Sequence, residues 1–351
     1  MNVVRVAENE LLSFASEILQ KTGLAAPAVD IVSQSLVDAD RHGVSSHGLI
    51  RLPIYVARLQ QGMVDPNAVP DVTVSGARAS VDGNNAMGAL VASTSLDAAC
   101  SLADQYGIAS SCARHSNHCG TLSFYARRAA ERGYFVAAMS NAPVTMAYHG
   151  GRTRAVGTNP FAIAIPRVDG PPIVHDIASS TVARGKIIVA DSENKEIPPG
   201  WGIDTAGRPT TVASEALNGA VLPFAGPKGS GLALMIELLC GVFAGAASGQ
   251  DIGDMYQDWS RPQNVGHTFL AVQFSDLLER HGQGLETFLE QFGALPPAEG
   301  FDGVRLPGEL EQEAAKTADE NGVPLSESTA KSLADLARQL NLATPTTLTH
   351  R

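Results

Sequence analysis

The stretch CARHSNHCG, residues 112–120, places two histidines and two cysteines within eight positions. Imidazole and thiolate are zinc ligands, and imidazole is also the side chain that most often transfers protons in catalysis. GIASSCARH predicts a strand and GTLSFYARRAAERG predicts a helix, so residues 116–119 form the turn between them. A helix N-terminus favours the neutral form of a nearby histidine, and a general base needs neutral imidazole. We therefore predict an acid–base role for His118.

Two other interpretations of this stretch stay open. A zinc site would use Cys112, His115, His118 and Cys119, whose side chains are all possible ligands. Strand alternation, however, places Cys112 and His115 on opposite faces, and no second ligand pair at zinc-finger spacing follows. A turn with a purely structural role is the other alternative.

The segment SSHGLIRLPIY, residues 45–55, predicts an anion site. His47, Arg51 and Tyr55 follow one another at steps of four, so a helix that starts at Ser45 or Ser46 carries them on one face. An arginine fork binds a carboxylate through two N–H groups, and histidine and tyrosine supply further donors or protons. The alternative is a solvent-exposed polar face, because Pro53 can interrupt the helix.

Two further segments have features of phosphate or ribose sites. GPKGSGLALMIELL places Lys228 directly before a long helix, whose free N–H groups suit a phosphate. HDIASSTVARGK ends an apolar strand with Asp176, which suits a ribose hydroxyl, and places Lys186 on a helix that begins near Thr181. A structural glycine turn, a capping carboxylate and a surface lysine explain the same residues without a ligand. The chain contains no GxGxxG fingerprint, so the sequence does not predict a Rossmann domain.

The elements that must position these residues fall into three parts of the chain. Apolar residues at helical spacing predict three helices over residues 8–62, and helical patterns return from Gly308 to the end. From about Val72, short apolar runs alternate with helical patterns, which is typical of an α/β domain. We predict that residues 1–71 and 305–351 form one helical domain, with an α/β domain over residues 72–304 between them.

Bulk properties narrow the class of partner. The 351 residues carry a formal net charge of −11, which argues against nucleic acid or an anionic membrane as the main partner. The apolar segment from Gly231 to Ser248 approaches the length of a membrane span, but Glu237 lies in its middle. We predict instead a helix buried in the core of a soluble protein. Four cysteines without a visible secretion signal indicate reduced thiols and a cytoplasmic location.

Seven segments, taken together, carry a resemblance to a known family: VSSHGLIRLP, ARHSNHCGTLSFYA, MSNAP, VGTNPFAIAIP, DIASSTVARGKI, GPKGSGLALMIELL and RLPGE. In this order they resemble the malate/L-lactate dehydrogenase family of the non-Rossmann type. Its relatives include ureidoglycolate, L-sulfolactate and diketogulonate-type enzymes and the Δ1-piperideine-2-carboxylate reductases. The resemblance implies an NAD- or NADP-dependent oxidoreductase that interconverts small 2-hydroxy and 2-oxo acids. It also implies an unusual α/β cofactor-binding domain, a helical domain built from both termini, and a homodimer.

The resemblance assigns roles to individual residues, and it implies no metal ligand. The residues expected to take part in catalysis, including Lys186 at a position where some relatives have aspartate, are Ser46, His47, His118 and Lys186. The residues expected to contact the carboxylic acid substrate, with Tyr55 added from the stripe in residues 45–55, are Arg51, Tyr55 and Thr158. The residues expected to contact NAD or NADP are Gly120, Thr121, Leu122, Asn141, Asp176, Ile177, Ala178, Lys228, Pro307, Gly308 and Glu309.

Two departures from the family pattern affect the prediction. The piperideine-carboxylate reductases carry an aspartate where this chain has Lys186, so their Ser–His–Asp relay is incomplete here. This favours a hydroxy acid dehydrogenase with His118 as the acid–base group. The run LPGELEQEAAK lacks the family's usual arginine, which leaves the choice between NAD and NADP open. A reductase of cyclic 2-imino acids, a zinc hydrolase using the cluster at residues 112–119, and a non-catalytic sensor are the alternatives.

Overall fold

A computed structural model describes residues 3–349, and its helices and strands alternate through the middle of the chain. The helices are α1 (Glu8–Lys21), α2 (Ala26–Arg41), α3 (Leu52–Gln60), α4 (Gly88–Tyr106), α5 (Leu122–Ala130), α6 (Arg184–Ser192), α7 (Ala213–Asn218), α8 (Pro227–Glu237), α9 (Ser275–Gly293), α10 (Glu309–Asn321), α11 (Glu327–Gln339) and α12 (Thr346–Thr349). The strands are β1 (Val3–Val6), β2 (Asp71–Ser75), β3 (Arg78–Asp82), β4 (Ile108–Ser116), β5 (Tyr134–Ser140), β6 (Met146–Ala147), β7 (Arg154–Val156), β8 (Phe161–Ile165), β9 (Ile173–Ile177), β10 (Gly202–Ile203), β11 (Pro209–Thr210), β12 (Ala220–Val221), β13 (Val265–Gln273) and β14 (Val323–Ser326).

A seven-stranded sheet, in the order β2-β3-β4-β13-β5-β8-β9, is the frame of the α/β part. β3 and β4 are parallel, whereas the other neighbouring pairs are antiparallel. Because β13 runs opposite to β4 and β5, and β8 runs opposite to β5 and β9, strands β3, β4, β5 and β9 all point the same way. Their C-terminal ends and the starts of β8 and β13 therefore meet at one edge of the sheet, here named the upper edge.

Helices α4 and α5 pack on this sheet through small side chains. In β4, the residues that alternate inward are Ala109, Ser111 and Ala113, and all three are buried. The facing helix α4 is rich in alanine, and its core positions include Ala92, Ala99 and Ala103. Small residues on both surfaces let the helix pack close to the strands. This packing holds the sheet, and therefore its upper edge, in a fixed position relative to the helix.

The helical part draws its core from both ends of the chain. Residues of α1, α2, α3 and α11 share one cluster of buried apolar side chains. The first strand, β1, pairs antiparallel with β14, with Val3 opposite Ser326. The predicted fold class, an α/β domain that is not a Rossmann fold with a helical part built from both termini, is confirmed.

The third helix predicted near the N-terminus is wrong in its first half. Residues Ser45–His47 and Leu49–Arg51 form two short 3-10 turns, and α3 begins only at Leu52. Gly48 separates the turns because its backbone is extended, with φ −83° and ψ −151°. Pro53 does not kink a helix, since it lies in the first turn of α3, where its missing N–H is tolerated.

The long buried helix predicted over Gly231–Ser248 is also wrong. α8 ends at Glu237 and continues as one π-helical turn, Leu238–Val242. One face points outward and exposes four large apolar residues, here named the apolar stripe: Met235 (51% exposed), Leu239 (39%), Val242 (56%) and Phe243 (75%). Within residues 3–349, none of the helices has both the length and the apolarity that crossing a bilayer requires.

A second, smaller sheet has the strand order β11-β10-β12-β6-β7. Helices α6 and α7 pack together beside it around a small cluster that includes Ile187 and Val221. The predicted helix start near Thr181 is wrong by three residues, because α6 begins at Arg184. The Ser180 hydroxyl donates to the carbonyl of Val182 at 2.8 Å, so it stabilises the approach to the helix rather than capping it.

Candidate active site

His118 lies at the upper edge, in the short segment between β4 and α5. The preceding Asn117 fixes this segment, because its side-chain amide donates to Asn85 Oδ1 at 3.0 Å and to the carbonyl of Ala86 at 2.9 Å. A Cβ at position 88 would overlap the carbonyl of Asn117, so the close approach of α4 requires Gly88. The His118 amide donates to Gln263 Oε1 at 3.1 Å. The backbone that carries the imidazole is therefore held on both sides.

The imidazole of His118 is surrounded by groups that disfavour its charged form. Tyr55 Oη lies 2.6 Å from His118 Nδ1, and the ring of His47 is stacked at 5.5 Å between centroids. Burial lowers the pKa of His118 well below its usual value, and the charges of His47 and Arg51 lower that pKa further. The amide of Gly120 also lies 3.4 Å from Nδ1. When the neutral ring carries its proton on Nδ1, Nε2 is free to accept a proton from a substrate.

The turns at residues 45–51 present the second histidine and the arginine. Ser46 Oγ lies 2.9 Å from His47 Nδ1, and Arg51 Nε donates to the carbonyl of Ser46 at 2.7 Å. Burial first, and then the charge of Arg51, lower the pKa of His47 to about 4. Within residues 3–349, Arg51 forms no ion pair, so its guanidinium can still bind an external carboxylate.

Asp40, on α2, fixes the geometry of these turns. Its Oδ2 accepts the amide of Leu49 at 2.7 Å, and a Cβ at Gly48 would overlap its carboxyl group. The carboxyl is only 2% exposed, and burial raises its pKa to about 7, an effect that the Leu49 amide partly opposes. The buried carboxyl of Asp40 therefore holds the backbone at Gly48 and Leu49, which lies between His47 and Arg51 in the chain.

Thr158 is held near the end of β9 by a buried polar network. Its carbonyl accepts the amide of Ser179 at 3.2 Å. The neighbouring Asn159 donates to Glu237 Oε2 at 2.7 Å, and Glu237 Oε1 accepts the amide of Gly249 at 2.9 Å. Glu237, which interrupts the apolar segment in the sequence, thus fixes the turn that precedes β8.

The Cys/His cluster does not come together as a metal site. His115 points to the surface, where its Nδ1 lies 2.8 Å from Asp82 Oδ1, whereas His118 faces Tyr55. In the chain from residue 3 to residue 349, no three His, Cys, Asp or Glu side chains are arranged to hold a metal ion. The zinc hydrolase alternative therefore lacks the ligand set that it needs.

The sequence matches the family model for malate/L-lactate dehydrogenase over residues 6–334. The chain belongs to the malate/L-lactate dehydrogenase family. The prediction of an oxidoreductase of this family is therefore confirmed.

Individual relatives match nearly the whole chain. It is 35% identical to a (2R)-3-sulfolactate dehydrogenase (NADP⁺) of Chromohalobacter salexigens, with 87% of this chain and 90% of that protein covered. It is 33% identical to Δ1-pyrroline-2-carboxylate reductase 1 of Burkholderia ambifaria, with 87% and 95% covered. The structure of malate dehydrogenase from Pyrococcus horikoshii superposes with a TM-score of 0.89 at 30% identity, with 98% and 97% covered.

The segments that this family membership suggests for the cofactor lie along β9. Asp176 Oδ2 accepts the amide of Ser123 at 2.8 Å, which ties β9 to the start of α5 and hence to residues 120–122. The carbonyl of Pro307 accepts the amide of Val174 at 3.4 Å, so the turn at residues 307–309 lies beside the same strand. Three segments that are far apart in sequence therefore border one region.

The groups in this region fit a dinucleotide. Thr121 Oγ1 and Ser179 Oγ are buried and have no hydrogen-bond partner within residues 3–349. Buried hydroxyls are normally paired, so two unpaired ones favour a polar ligand between the segments. Gly120 has φ +83°, with no atom closer than 4.0 Å to a Cβ built there, and this conformation turns the chain into α5 beside His118.

Three of the expected site residues either lie on the surface or point into the protein. Lys186 on α6 and Lys228 at the start of α8 are exposed, and neither forms an ion pair in the described part of the chain. The side chain of Asn141 is directed into the protein, where it donates to the carbonyl of Ala247 at 2.8 Å and accepts the amide of Gly266 at 2.8 Å. A cofactor role for the Asn141 side chain would require breaking these bonds.

The sequence analysis did not identify four residues that shape the site. Asp40, Tyr256 and Gln263 contact the segments that carry His47, Arg51 and His118, and Arg58 contacts the loop that carries Tyr256. Only Arg58 gave a signal, because it is the one charged residue in the stretch from Pro53 to Leu59, whereas Asp40 lies between the charged residues Asp38 and Arg41. Tyr256 and Gln263 lie in a segment without periodicity, so no pattern indicated their role.

Replacing Asp40 with asparagine tests whether the buried carboxyl changes its pKa on folding. The pKa of this carboxyl rises from 3.8 to about 7 on folding, so the folded state binds more protons between these values. Stability from this group is present at low pH and is lost as the pH rises from about 4 to about 7. The Asn side chain in Asp40→Asn still accepts the Leu49 amide. We expect the free energy of unfolding of this variant to rise above that of the native protein by up to about 4 kcal/mol between pH 4 and pH 8.

The free energy of unfolding, measured in urea at several pH values, gives this difference directly. Asp30→Asn, on the exposed side of the same helix, is the matched control and should keep the native pH dependence. Parallel pH curves for Asp40→Asn and the native protein would show that Asp40 does not titrate on folding.

Proposed function

We propose that this protein is an NAD- or NADP-dependent dehydrogenase that interconverts a small 2-hydroxy acid and the corresponding 2-oxo acid. The observation that carries the proposal is the meeting of a neutral, buried imidazole and an unpaired guanidinium beside a region suited to a dinucleotide. His118 is expected to exchange the proton of the C2 hydroxyl, and Arg51 to bind the carboxylate. This assignment agrees with the names of the relatives, which act on sulfolactate, malate and a cyclic imino acid.

The nicotinamide, when bound, accepts or supplies the hydride at C2. In the direction of oxidation, neutral His118, with its own proton on Nδ1 beside the Tyr55 oxygen, takes the hydroxyl proton on Nε2. In reduction, the protonated imidazole returns the proton to the C2 oxygen. His47, stacked on His118 and bonded to Ser46, orients the same oxygen. Arg51 and Thr158 are expected to hold the substrate in place, since hydride transfer tolerates little misalignment.

The other expected cofactor contacts belong to the same proposal. Residues 120–122, 176–178 and 307–309 border the region described above, and Lys228 lies at the start of α8. Gly229 packs against the carbonyl of Ser179, which brings this helix start next to the end of β9. A free helix N-terminus with a lysine suits a phosphate group of the cofactor. Lys186 stays a predicted catalytic residue, and its exposed ammonium would have to turn toward the substrate.

Replacing His118 with alanine tests the acid–base role. We expect kcat to fall by about 10²–10⁴-fold, because this is the usual contribution of general acid–base catalysis. Cofactor binding, measured by fluorescence titration of the reduced nicotinamide, should be retained. His115→Ala is the matched control, since His115 is on the surface three residues away and should leave kcat unchanged. Near-native turnover of His118→Ala would remove this residue from the mechanism.

The substrate panel for this assay separates the two activities found among relatives. Oxidation of NADH and of NADPH should be followed by absorbance with 2-oxo acids and, separately, with cyclic 2-imino acids. Turnover of the 2-oxo acids supports the dehydrogenase. Turnover of the imino acids alone would favour the reductase, whose Ser–His pair is present here as Ser46 and His47.

Replacing Arg51 with lysine tests the carboxylate contact. Lysine keeps the charge but cannot form the two parallel hydrogen bonds of a guanidinium. We expect the KM for the acid to rise by about tenfold, with a smaller change in kcat. Steady-state kinetics at saturating cofactor measures both constants. An unchanged KM would place the substrate carboxylate at another residue.

We also propose that the protein is a homodimer and that the apolar stripe lies in the interface. Four large apolar side chains, 39–75% exposed on one face, are costly to leave in water, and a second copy can bury them. The acidic net charge of each chain does not oppose this, because the stripe itself carries no charge. A cytoplasmic location stays a prediction from the sequence.

Phe243→Asp tests the interface. We expect this change to convert the dimer into a monomer, because a carboxylate in the stripe would lose its hydration on association. Light scattering after size-exclusion chromatography measures the mass. Phe288→Asp, at an exposed phenylalanine of α9, is the control and should leave the dimer intact. A Phe243→Asp variant that remains dimeric would place the interface elsewhere.

A further inference from the structure

Residues 253–263, which precede β13, form a loop whose two ends are bonded to each other. The amide of Gly253 donates to the carbonyl of Gln263 at 3.1 Å, and the side-chain amide of Gln263 donates back to the carbonyl of Gly253 at 3.4 Å. A Cβ at position 253 would lie 2.7 Å from the carbonyl oxygen of Pro262, so this closure requires glycine. We name this compact segment the clasped loop.

One arginine of the helical part holds the clasped loop. Arg58, on α3, is 1% exposed, and its guanidinium donates to backbone carbonyls of the loop. Its Nη1 lies 3.4, 3.2 and 3.0 Å from the carbonyl oxygens of Asp254, Met255 and Asp258, and its Nη2 lies 3.4 Å from that of Arg261. In the described chain, Arg58 has no carboxylate within ion-pair distance. A buried cation whose partners are carbonyls and the ring of Trp259 still costs desolvation, so it points to a need for this loop position.

The clasped loop contacts the guanidinium of Arg51 and the backbone of His118. The ring of Tyr256 lies 5.6 Å from Arg51 Cζ, and its side chain is 48% exposed. Gln263 Oε1 accepts the amide of His118 at 3.1 Å. Arg51 directly precedes α3, and Arg58 lies on α3 about two helical turns further along. Arg58 therefore holds the clasped loop at one end of this segment, and the loop covers the guanidinium of Arg51 at the other end.

We propose that the clasped loop sets the substrate range, with Tyr256 as the specificity-determining residue and Arg58 as a positioning residue. This inference rests on the proposed function, in which Arg51 binds the substrate carboxylate. A 2-hydroxy acid held there, with its C2 oxygen at His118, has its remaining substituent beside the groups that flank Arg51. Tyr256 flanks Arg51 on the side open to solvent, so its ring limits the size of that substituent. The ring also restricts Arg51 through a cation–π contact.

Replacing Tyr256 tests the specificity role. In Tyr256→Ala, the KM for small 2-oxo acids should rise by about tenfold, because Arg51 loses the ring that restricts it. The ratio of kcat/KM between large and small C3 substituents should shift toward the large ones. In Tyr256→Phe, which keeps the ring, both quantities should stay within about twofold of native. The KM for the cofactor should not change in either variant.

Tyr106→Ala, at an exposed tyrosine of α4, is the matched control and should leave the kinetics as in the native protein. An unchanged KM and an unchanged order of substrates in Tyr256→Ala would overturn the specificity role. A wild-type protein that turns over none of the acids would instead count against the proposed function. The positioning role of Arg58 would still be tested by the next measurement.

The role of Arg58 has a readout that does not need activity. The chain contains two tryptophans, Trp201 and Trp259, and the ring of Trp259 lies 5.5 Å from Arg58 Cζ. In a Trp201→Phe background, Trp259 is the single fluorescent reporter of the clasped loop. Arg58→Lys keeps the charge but cannot reach the same set of carbonyls, so the emission should shift to longer wavelength and acrylamide quenching should increase.

Kinetics of the same variant separate positioning from general destabilisation. Arg58→Lys should raise the KM of the acid and lower kcat, since the loop contacts both Arg51 and the backbone of His118, while the cofactor KM remains native. Arg338→Lys, at an exposed arginine of α11, is the control. Unchanged emission together with unchanged KM and kcat in Arg58→Lys would overturn the positioning role of Arg58. A fall in kcat that follows only the loss of folded protein, measured by circular dichroism, would also overturn it.

Discussion

The site depends on a buried imidazole that lies beside a guanidinium, and within residues 3–349 neither group forms an ion pair with a carboxylate. Desolvation and the neighbouring cation both act against protonation of His118, so the neutral ring is favoured. Within residues 3–349, Arg51 likewise forms no ion pair, and its guanidinium contacts the backbone carbonyl of Ser46 and the ring of Tyr256. An anionic substrate that binds Arg51 therefore supplies the missing negative charge, and it arrives next to a ring that is ready to accept a proton.

The sheet brings the remaining groups to this point through its strand directions. In a Rossmann domain, parallel strands end at one edge and the ligand binds at the crevice there. Here most neighbouring strands are antiparallel, yet β3, β4, β5 and β9 still end at the upper edge. β3 and β4 are parallel neighbours, and the antiparallel strands β13 and β8 separate β4, β5 and β9. His118 follows β4 and Asp176 lies near the end of β9, which gives an edge site without the glycine-rich fingerprint.

Buried polar residues give this edge its shape at a cost in desolvation. Asp40 holds the turn at Gly48, Glu237 holds the turn at Thr158, and Arg58 holds the clasped loop. Each is charged or ionisable, and each has mainly backbone or amide partners. Replacing such groups with apolar ones often costs little stability, so their value lies in the geometry that they fix.

The sequence determined the local features of this protein. Apolar spacing was enough for α1, α2, α5 and the main strands, and the ordered motifs were enough for the family. The roles of His118, His47 and Arg51 stay predictions. The sequence did not determine the turn at Gly48, where an extended glycine replaces the expected helix, or the exposed face of Met235 to Phe243. It also missed Asp40, Arg58, Tyr256 and Gln263. These depend on contacts between residues far apart in the chain, and periodicity carries information only about neighbours within a few residues.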